Sequence, residues 1–124
     1  MTEGRRNRLP RARRITSSNE IRALFQLGKR SRTSHLDVFD SASPFAYPRV
    51  GVVVPKHRRN SVERNKLKRR LREVLRLQIL PRLAERTANV DVLVRARREA
   101  YNATFEQLND ELVEYVEKTW SRVR

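Results

Sequence analysis

The sequence predicts a single small α+β domain around one mixed sheet, and three observations carry that expectation. Three segments open with helix-capping pairs and continue in apolar residues at helical spacing. Among them lie an alternating segment, His35 to Asp40, and two apolar segments, Arg49 to Val54 and Val90 to Val94, that read as strands. The chain has 124 residues and no cysteine, so one modest core, without disulfides or a thiolate metal site, has to hold it together.

Taken in order, residues 1–16 read as a basic arm, with Pro10 breaking any helix, and 17–124 as the domain. Ser17 and Glu20 form a capping box for a first helix in which Ile21, Leu24 and Phe25 follow at helical spacing. Gly28 sits at the place of a C-terminal cap. His35 to Asp40 alternates, Leu36 and Val38 pointing one way and His35, Asp37 and Phe39 the other, as a half-buried strand does. Ser41 to Pro48 is turn-like, with Pro44 and Pro48, and leaves room for a further strand near Ser41–Tyr47. Arg49 to Val54 is apolar on both faces, which predicts a central strand.

Lys56 to Asn60 is a basic loop without an apolar anchor. Asn60 and Glu63 then cap a long helix whose Leu67, Leu71, Val74, Leu75 and Ile79 form one apolar stripe. Asn65, Arg69, Arg72 and Arg76 lie opposite, Arg64 and Lys68 flank the stripe, and Pro81 ends or interrupts the helix. Val90 to Val94 is a short strand. Thr104 and Gln107 cap a last helix, buried through Phe105, Leu108, Leu112, Tyr115 and Val116.

Charge decides the class of partner. The chain carries 29 Lys and Arg against 14 Asp and Glu, net +15. Residues 1–104 hold 26 bases and 9 acids, whereas residues 105–124 hold 3 and 5, so the partner surface lies before the last helix. The densest patch is Lys56, Arg58, Arg59, Arg64, Lys66, Lys68, Arg69, Arg70 and Arg72, with Glu63 the one acid among them. Solvated helices interleave acids at i+4. A helix with six cations from Arg64 to Arg72 and no acid repels itself until phosphates approach. The longest apolar run, Val50 to Val54, is far too short to span a membrane, and the expected location is the cytoplasm.

Catalytic patterns are missing. The sequence holds no nucleophile elbow, His-x-x-x-His pair or Gly-rich phosphate loop, and His35 and His57 are too few and too isolated for a metal cage. Glu63, Glu73, Asp91 and Glu99 read as helix caps or ion-pair partners, and His57 as a neutral, phosphate-facing imidazole at most.

The stretch Arg64-Asn65-Lys66-Leu67-Lys68-Arg69-Arg70-Leu71-Arg72-Glu73 resembles the signature of the bacterial ribonuclease P protein subunit. Arg49-Val50-Gly51-Val52-Val53-Val54-Pro55-Lys56 is similar to that family's strand and Lys-bearing loop, and the likeness runs in order over roughly residues 8 to 120. The resemblance implies an αβββαβα fold with a left-handed crossover around the basic helix, where strand twist alone favours the right hand. It implies a protein that binds the catalytic RNA of ribonuclease P and the 5′ leader of precursor tRNA, one protein per RNA. The chemistry and its Mg²⁺ would lie on the RNA and no cofactor on the protein.

Carried over by position, Lys56, Arg58, Arg59, Arg64, Asn65, Lys66, Lys68, Arg69 and Arg72 would face the RNA subunit. Phe25 and Phe39 would line a leader cleft between the first helix and the sheet, while strand alternation, not the resemblance, reads Phe39 as a solvent-accessible ring with Arg14 and Arg49 as candidate cations. Ile21 stands where the family tends to have an aromatic. Two rival readings are a small basic ribosomal protein and a DNA-binding regulator. The second is disfavoured because the long helix has no short-turn partner helix before it.

Overall fold

A computed structural model of the protein describes residues 9–120. Helix α1 (Ser18–Leu27) leads into strands β1 (Lys29–Arg32), β2 (Leu36–Ala42) and β3 (Arg49–Val53). Helix α2 (Ser61–Val74) continues through a π segment (Leu75–Ile79) into α3 (Leu80–Glu85), and β4 (Val90–Ala96) and α4 (Phe105–Thr119) complete the chain. Counting α2 to α3 as one helical body, the order is αβββαβα, as expected. The sheet runs β1-β2-β4-β3, with β3 parallel to β4 and the other pairs antiparallel. Among the described residues no helix is long and apolar enough to cross a membrane.

One sheet face carries Leu36, Val38, Val92, Val94 and Val50. It is buried under the stripe of α2 and its extension (Leu67, Leu71, Val74, Leu75, Ile79, Leu83) and under Leu108, Leu112 and Val116 of α4. The other face carries a smaller cluster, Ile15, Leu24, Phe39 and Leu93, with Ile21, Phe25 and Val53 half-buried at its margin. Helix α1 lies on this second face and leaves part of it open.

Several expectations are corrected. Strand β3 is an edge strand, and the central pair is β2 and β4. Its two apolar faces are explained by α2 on one side and Ile15 on the other, while the chain at 14–15 runs along its outer edge. There Ile15 N–H donates to Val50 O at 2.8 Å, so the exposed edge is closed by the chain itself. Gly51 is required at that crossing, since a Cβ would stand 3.0 Å from Ile15 O and 3.0 Å from Leu93 Cδ1. The boundary at residue 16 therefore cuts through packed chain, for Leu9 and Ile15 are both buried. Residues 1–8 of the expected arm lie outside the described residues.

The further strand is Lys29–Arg32, paired with β2 as a hairpin, not Ser41–Tyr47. Strand β2 ends at Ala42, and 43–48 is a loop. Strand β2 is also buried on both faces rather than half-buried, because α1 covers Phe39 and three arginines close over Asp37. Gly28 is extended (φ −71°), so its reason is space: a Cβ would meet Leu24 O at 2.6 Å. Pro81 interrupts rather than ends the long helix. It occupies the first turn of α3, where its missing N–H costs least, and the π segment lies just before it. Phe105 is 40% exposed, so α4 buries its stripe from Leu108 onward.

Candidate nucleic-acid interface

Helix α2 starts at a complete capping box. Asn60 Oδ1 accepts from Glu63 N–H at 2.9 Å, and Glu63 Oε1 accepts from Asn60 N–H at 3.2 Å. The bond from Asn60 N–H comes first in holding the Glu63 carboxyl below its ordinary range, ahead of its contact with Arg59. The preceding loop turns through His57 (φ 47°) and Arg58 (φ 65°), a left-handed pair uncommon outside glycine, closed by Arg59 N–H donating to Lys56 O at 2.8 Å. The loop is anchored after all. Tyr101 Oη donates to Pro55 O at 2.7 Å, and the Arg59 guanidinium lies 4.9 Å from the Tyr101 ring centre. Sequence reasoning missed Tyr101, since no local pattern links it to residues 55–59.

The stripe residues Leu67, Leu71 and Val74 hold α2 on the sheet, so its opposite face is fixed outward. Asn65, Lys66, Arg69 and Arg72 are exposed there, beside exposed Lys56 and Arg58 on the loop, and Lys68 is half-buried at the flank. None of the cations Lys56, Arg58, Lys66, Lys68, Arg69 and Arg72 has an ion-pair partner among the described residues. Arg59 pairs with Glu63 at 3.2 Å, and Arg64 Nε donates to Val54 O at 3.4 Å, so these two are partly engaged within the fold. The expected patch is thus brought together, in two grades of availability.

The expected cleft is built differently from its sequence reading. Across the open face, register aligns Arg30, Phe39, Leu93 and Gly51 in one row and Arg32, Asp37, Arg95 and Val53 in the next. Phe39 is not an accessible ring. It is 4% exposed and meets Phe25 edge-to-face at 5.0 Å, because α1 sits directly on it. Strand alternation tells which face a residue takes, not what covers that face. Phe25, on α1, remains half-buried at the cleft margin with Ile21 and Val53.

Arg49 is not a free cation either. It is 7% exposed and is held by Asp91 (Nη2 to Oδ2 2.6 Å) and Glu20 (Nη2 to Oε2 3.0 Å). Hydrogen bonding to Asp91 first, then Glu20, raises this guanidinium's already high pKa against the opposing effect of burial. Arg14 lies along the outer edge of β3, with its Nε donating to Leu9 O at 2.9 Å. Arg95 takes the place expected of these two, its guanidinium 4.9 Å from the Phe25 ring centre and 5.2 Å from that of Phe39. Alternation along Val90–Ala96 could have found it, since Arg95 shares a face with Leu93.

Arg95, Arg97 and Arg30 converge on buried Asp37 at 3.2, 3.3 and 3.3 Å. Burial pushes the Asp37 carboxyl up, but hydrogen bonds and charge from Arg95 and Arg30 outweigh it and hold the group below its ordinary range. Of the acids singled out in the sequence, Glu73 pairs with Arg76 at 2.9 Å, Asp91 with Arg49, and Glu99 lies near Arg97 at 3.9 Å. The arrangement can bind anionic polymer through α2 and its loop. On the other face of the sheet stands a cleft with one half-buried ring and one oriented guanidinium.

The family model described as Ribonuclease P matches residues 9–120. The chain is similar to the Ribonuclease P protein component of Syntrophus aciditrophicus, 38% identical over 69 residues, which are 56% of this chain and 58% of the relative. The Ribonuclease P protein component of Vibrio cholerae is 30% identical over 111 residues, 89% of this chain and 86% of the relative. The matched stretch thus spans less than two thirds of the first relative's length and most of the second's. The structure of Staphylococcus aureus RNase P protein shares the fold, with a TM-score of 0.68 at 24% identity, covering 92% of this chain and 100% of that one.

Proposed function

This chain belongs to the ribonuclease P protein family, and from that premise we propose that it is the protein component of a ribonuclease P. In this reading it binds the catalytic RNA and the 5′ leader of precursor tRNA, and so assists endonucleolytic removal of the leader. The observation that carries the reading is the outward face of α2, where exposed Asn65, Lys66, Arg69 and Arg72 stand without a neutralising acid on a helix whose other face is fully committed to the core. Phosphates fit such a row because each one bound releases counterions from the RNA. The leader would lie in the cleft beside α1, with one base against Phe25 and the guanidinium of Arg95 near its backbone.

The protein acts here as an accessory to RNA chemistry. Glu63 caps a helix, Glu73 and Asp91 pair with arginines, and none is poised as a general acid or base. Mg²⁺ is assigned to the RNA subunit and no cofactor to the protein. We assign one protein to each RNA and the complex to the cytoplasm. The ribosomal-protein alternative is not favoured, since the matched family and the relatives are ribonuclease P proteins.

The test is incubation of the protein with precursor tRNA and Mg²⁺, with and without the ribonuclease P RNA. Leader removal is expected only when the RNA is present, and faster with the protein than with RNA alone at low salt. Leader removal by rigorously RNA-free protein refutes the accessory role.

A further inference from the structure

The loop between β2 and β3 carries a stack of side chains that the core does not use. The Phe45 and Tyr47 rings lie nearly parallel, with centres 5.3 Å apart and planes 12° apart. The Arg49 guanidinium lies 4.9 Å from the Phe45 centre, and that of Arg13 lies 4.2 Å from the Tyr47 centre. The four groups thus touch in the order Arg49, Phe45, Tyr47, Arg13. Neither ring belongs to either hydrophobic cluster, and Phe45 is 46% exposed.

The two ends of this ladder differ. At one end Arg49 is buried and gripped by Asp91 and Glu20, so it is a fixed base. At the other end Arg13 sits in the 3₁₀ turn Arg11–Arg13 next to exposed Arg11, and neither has an ion-pair partner among the described residues. Arg13 is half-buried, and a guanidinium held over a ring is already restrained, so a second planar group can stack on it with less to order. The ladder also lies on the same side of the sheet as α1, because its Arg49 base reaches Glu20 there. It marks the opposite end of β3 from the basic loop, about 16 Å away at the rise of a five-residue strand.

We infer that this ladder is a docking point for an unpaired nucleotide of RNA, the base stacking on the guanidinium of Arg13 and Arg11 meeting the phosphate. The inference rests on the reading of the chain as an RNA-binding ribonuclease P protein and extends its interface to the far end of the sheet. Bases stack on arginine planes as they do on aromatic rings, and two unpaired arginines with no acid beside them select a polyanion.

The experiment compares the full-length chain with Arg13→Lys, which keeps the charge and loses the plane, and Tyr47→Leu, which removes the shelf beneath Arg13. Three probes are used: a short single-stranded oligoribonucleotide carrying 2-aminopurine, the ribonuclease P RNA alone, and precursor tRNA added to the holoenzyme. The wild-type chain is expected to quench 2-aminopurine and Arg13→Lys to quench it less. At least one RNA affinity should fall about fivefold or more while the salt slope stays unchanged. A loss on the ribonuclease P RNA assigns the nucleotide to the catalytic RNA, and a loss on precursor tRNA alone assigns it to the substrate; either supports the inference. Wild-type affinity and quenching for Arg13→Lys on all three probes overturns it and leaves the family's RNA-binding role standing. Should Tyr47→Leu fail to fold by circular dichroism, Arg13→Lys decides alone. A wild-type chain that binds none of the three RNAs overturns the underlying reading as well.

Discussion

On the outward face of α2, Lys66, Arg69 and Arg72 are exposed, and none has an ion-pair partner among the described residues. On the open face of the sheet, Arg49 is shared by Asp91 and Glu20, and Arg30, Arg95 and Arg97 converge on Asp37. The same residue type is spent in opposite ways. Paired arginines order the sheet face and hold α1 in place, Arg95 alone among them also fronting the cleft, whereas unpaired ones cost the fold repulsion and are available to a partner. Net charge cannot distinguish the two populations, and their partners do.

The largest expected effects lie on the paired side. Asp91→Ala leaves Arg49 buried with only Glu20, and should cost about 3–5 kcal/mol of stability in urea melts. A loss below about 1 kcal/mol would place Arg49 among the available cations and blur the contrast. Phe39→Ala empties the space under α1 and should cost about 3–5 kcal/mol, measured the same way. Once folded, that variant should lose no more affinity for leader-bearing than for mature tRNA. An unchanged melt with a leader-specific loss would return Phe39 to the cleft surface.

Phe25→Ala should show the reverse balance, because its ring is half-buried. Its expected signature is a loss of about 1–3 kcal/mol in holoenzyme affinity for leader-bearing precursor tRNA, with mature tRNA little affected. A smaller effect still concerns pH. The folded Asp37 carboxyl is held below its unfolded value of about 3.9, so its stabilisation is complete above that value and is lost as pH falls through the folded one. Asp37→Asn should therefore flatten the acid limb of the stability curve below about pH 4 and lower the neutral plateau. An unchanged acid limb would mean that the three arginines do not act through Asp37.

Much of this contrast was legible in residue order. The capping box at Asn60 and Glu63 and the stripe from Leu67 to Ile79 fix α2 and its outward face, because both signals are local. Strand β1 was illegible, since Lys-Arg-Ser-Arg has no apolar period and is held only by pairing with β2. Phe39 and Arg49 were misread for one reason: alternation and charge are properties of a strand, while burial and pairing depend on α1 arriving over them. Arg95 was legible in principle, as its register opposite Asp37 follows from Leu93 facing Phe39. Tyr101 was not, since it reaches Pro55 across 46 residues of sequence.

The central claim is that the unpaired cations of α2 are an electrostatic RNA contact and no part of the fold's own stability. It is tested most directly by the salt dependence of binding to the ribonuclease P RNA, for the wild-type chain and for Lys68→Ala with Arg69→Ala. The expected result is weaker binding, a log–log slope reduced by roughly 0.7 to 0.9 for each phosphate no longer neutralised, and a urea melt within about 0.5 kcal/mol of wild type. An unchanged slope, or a drop in binding that tracks a drop in stability, would contradict it.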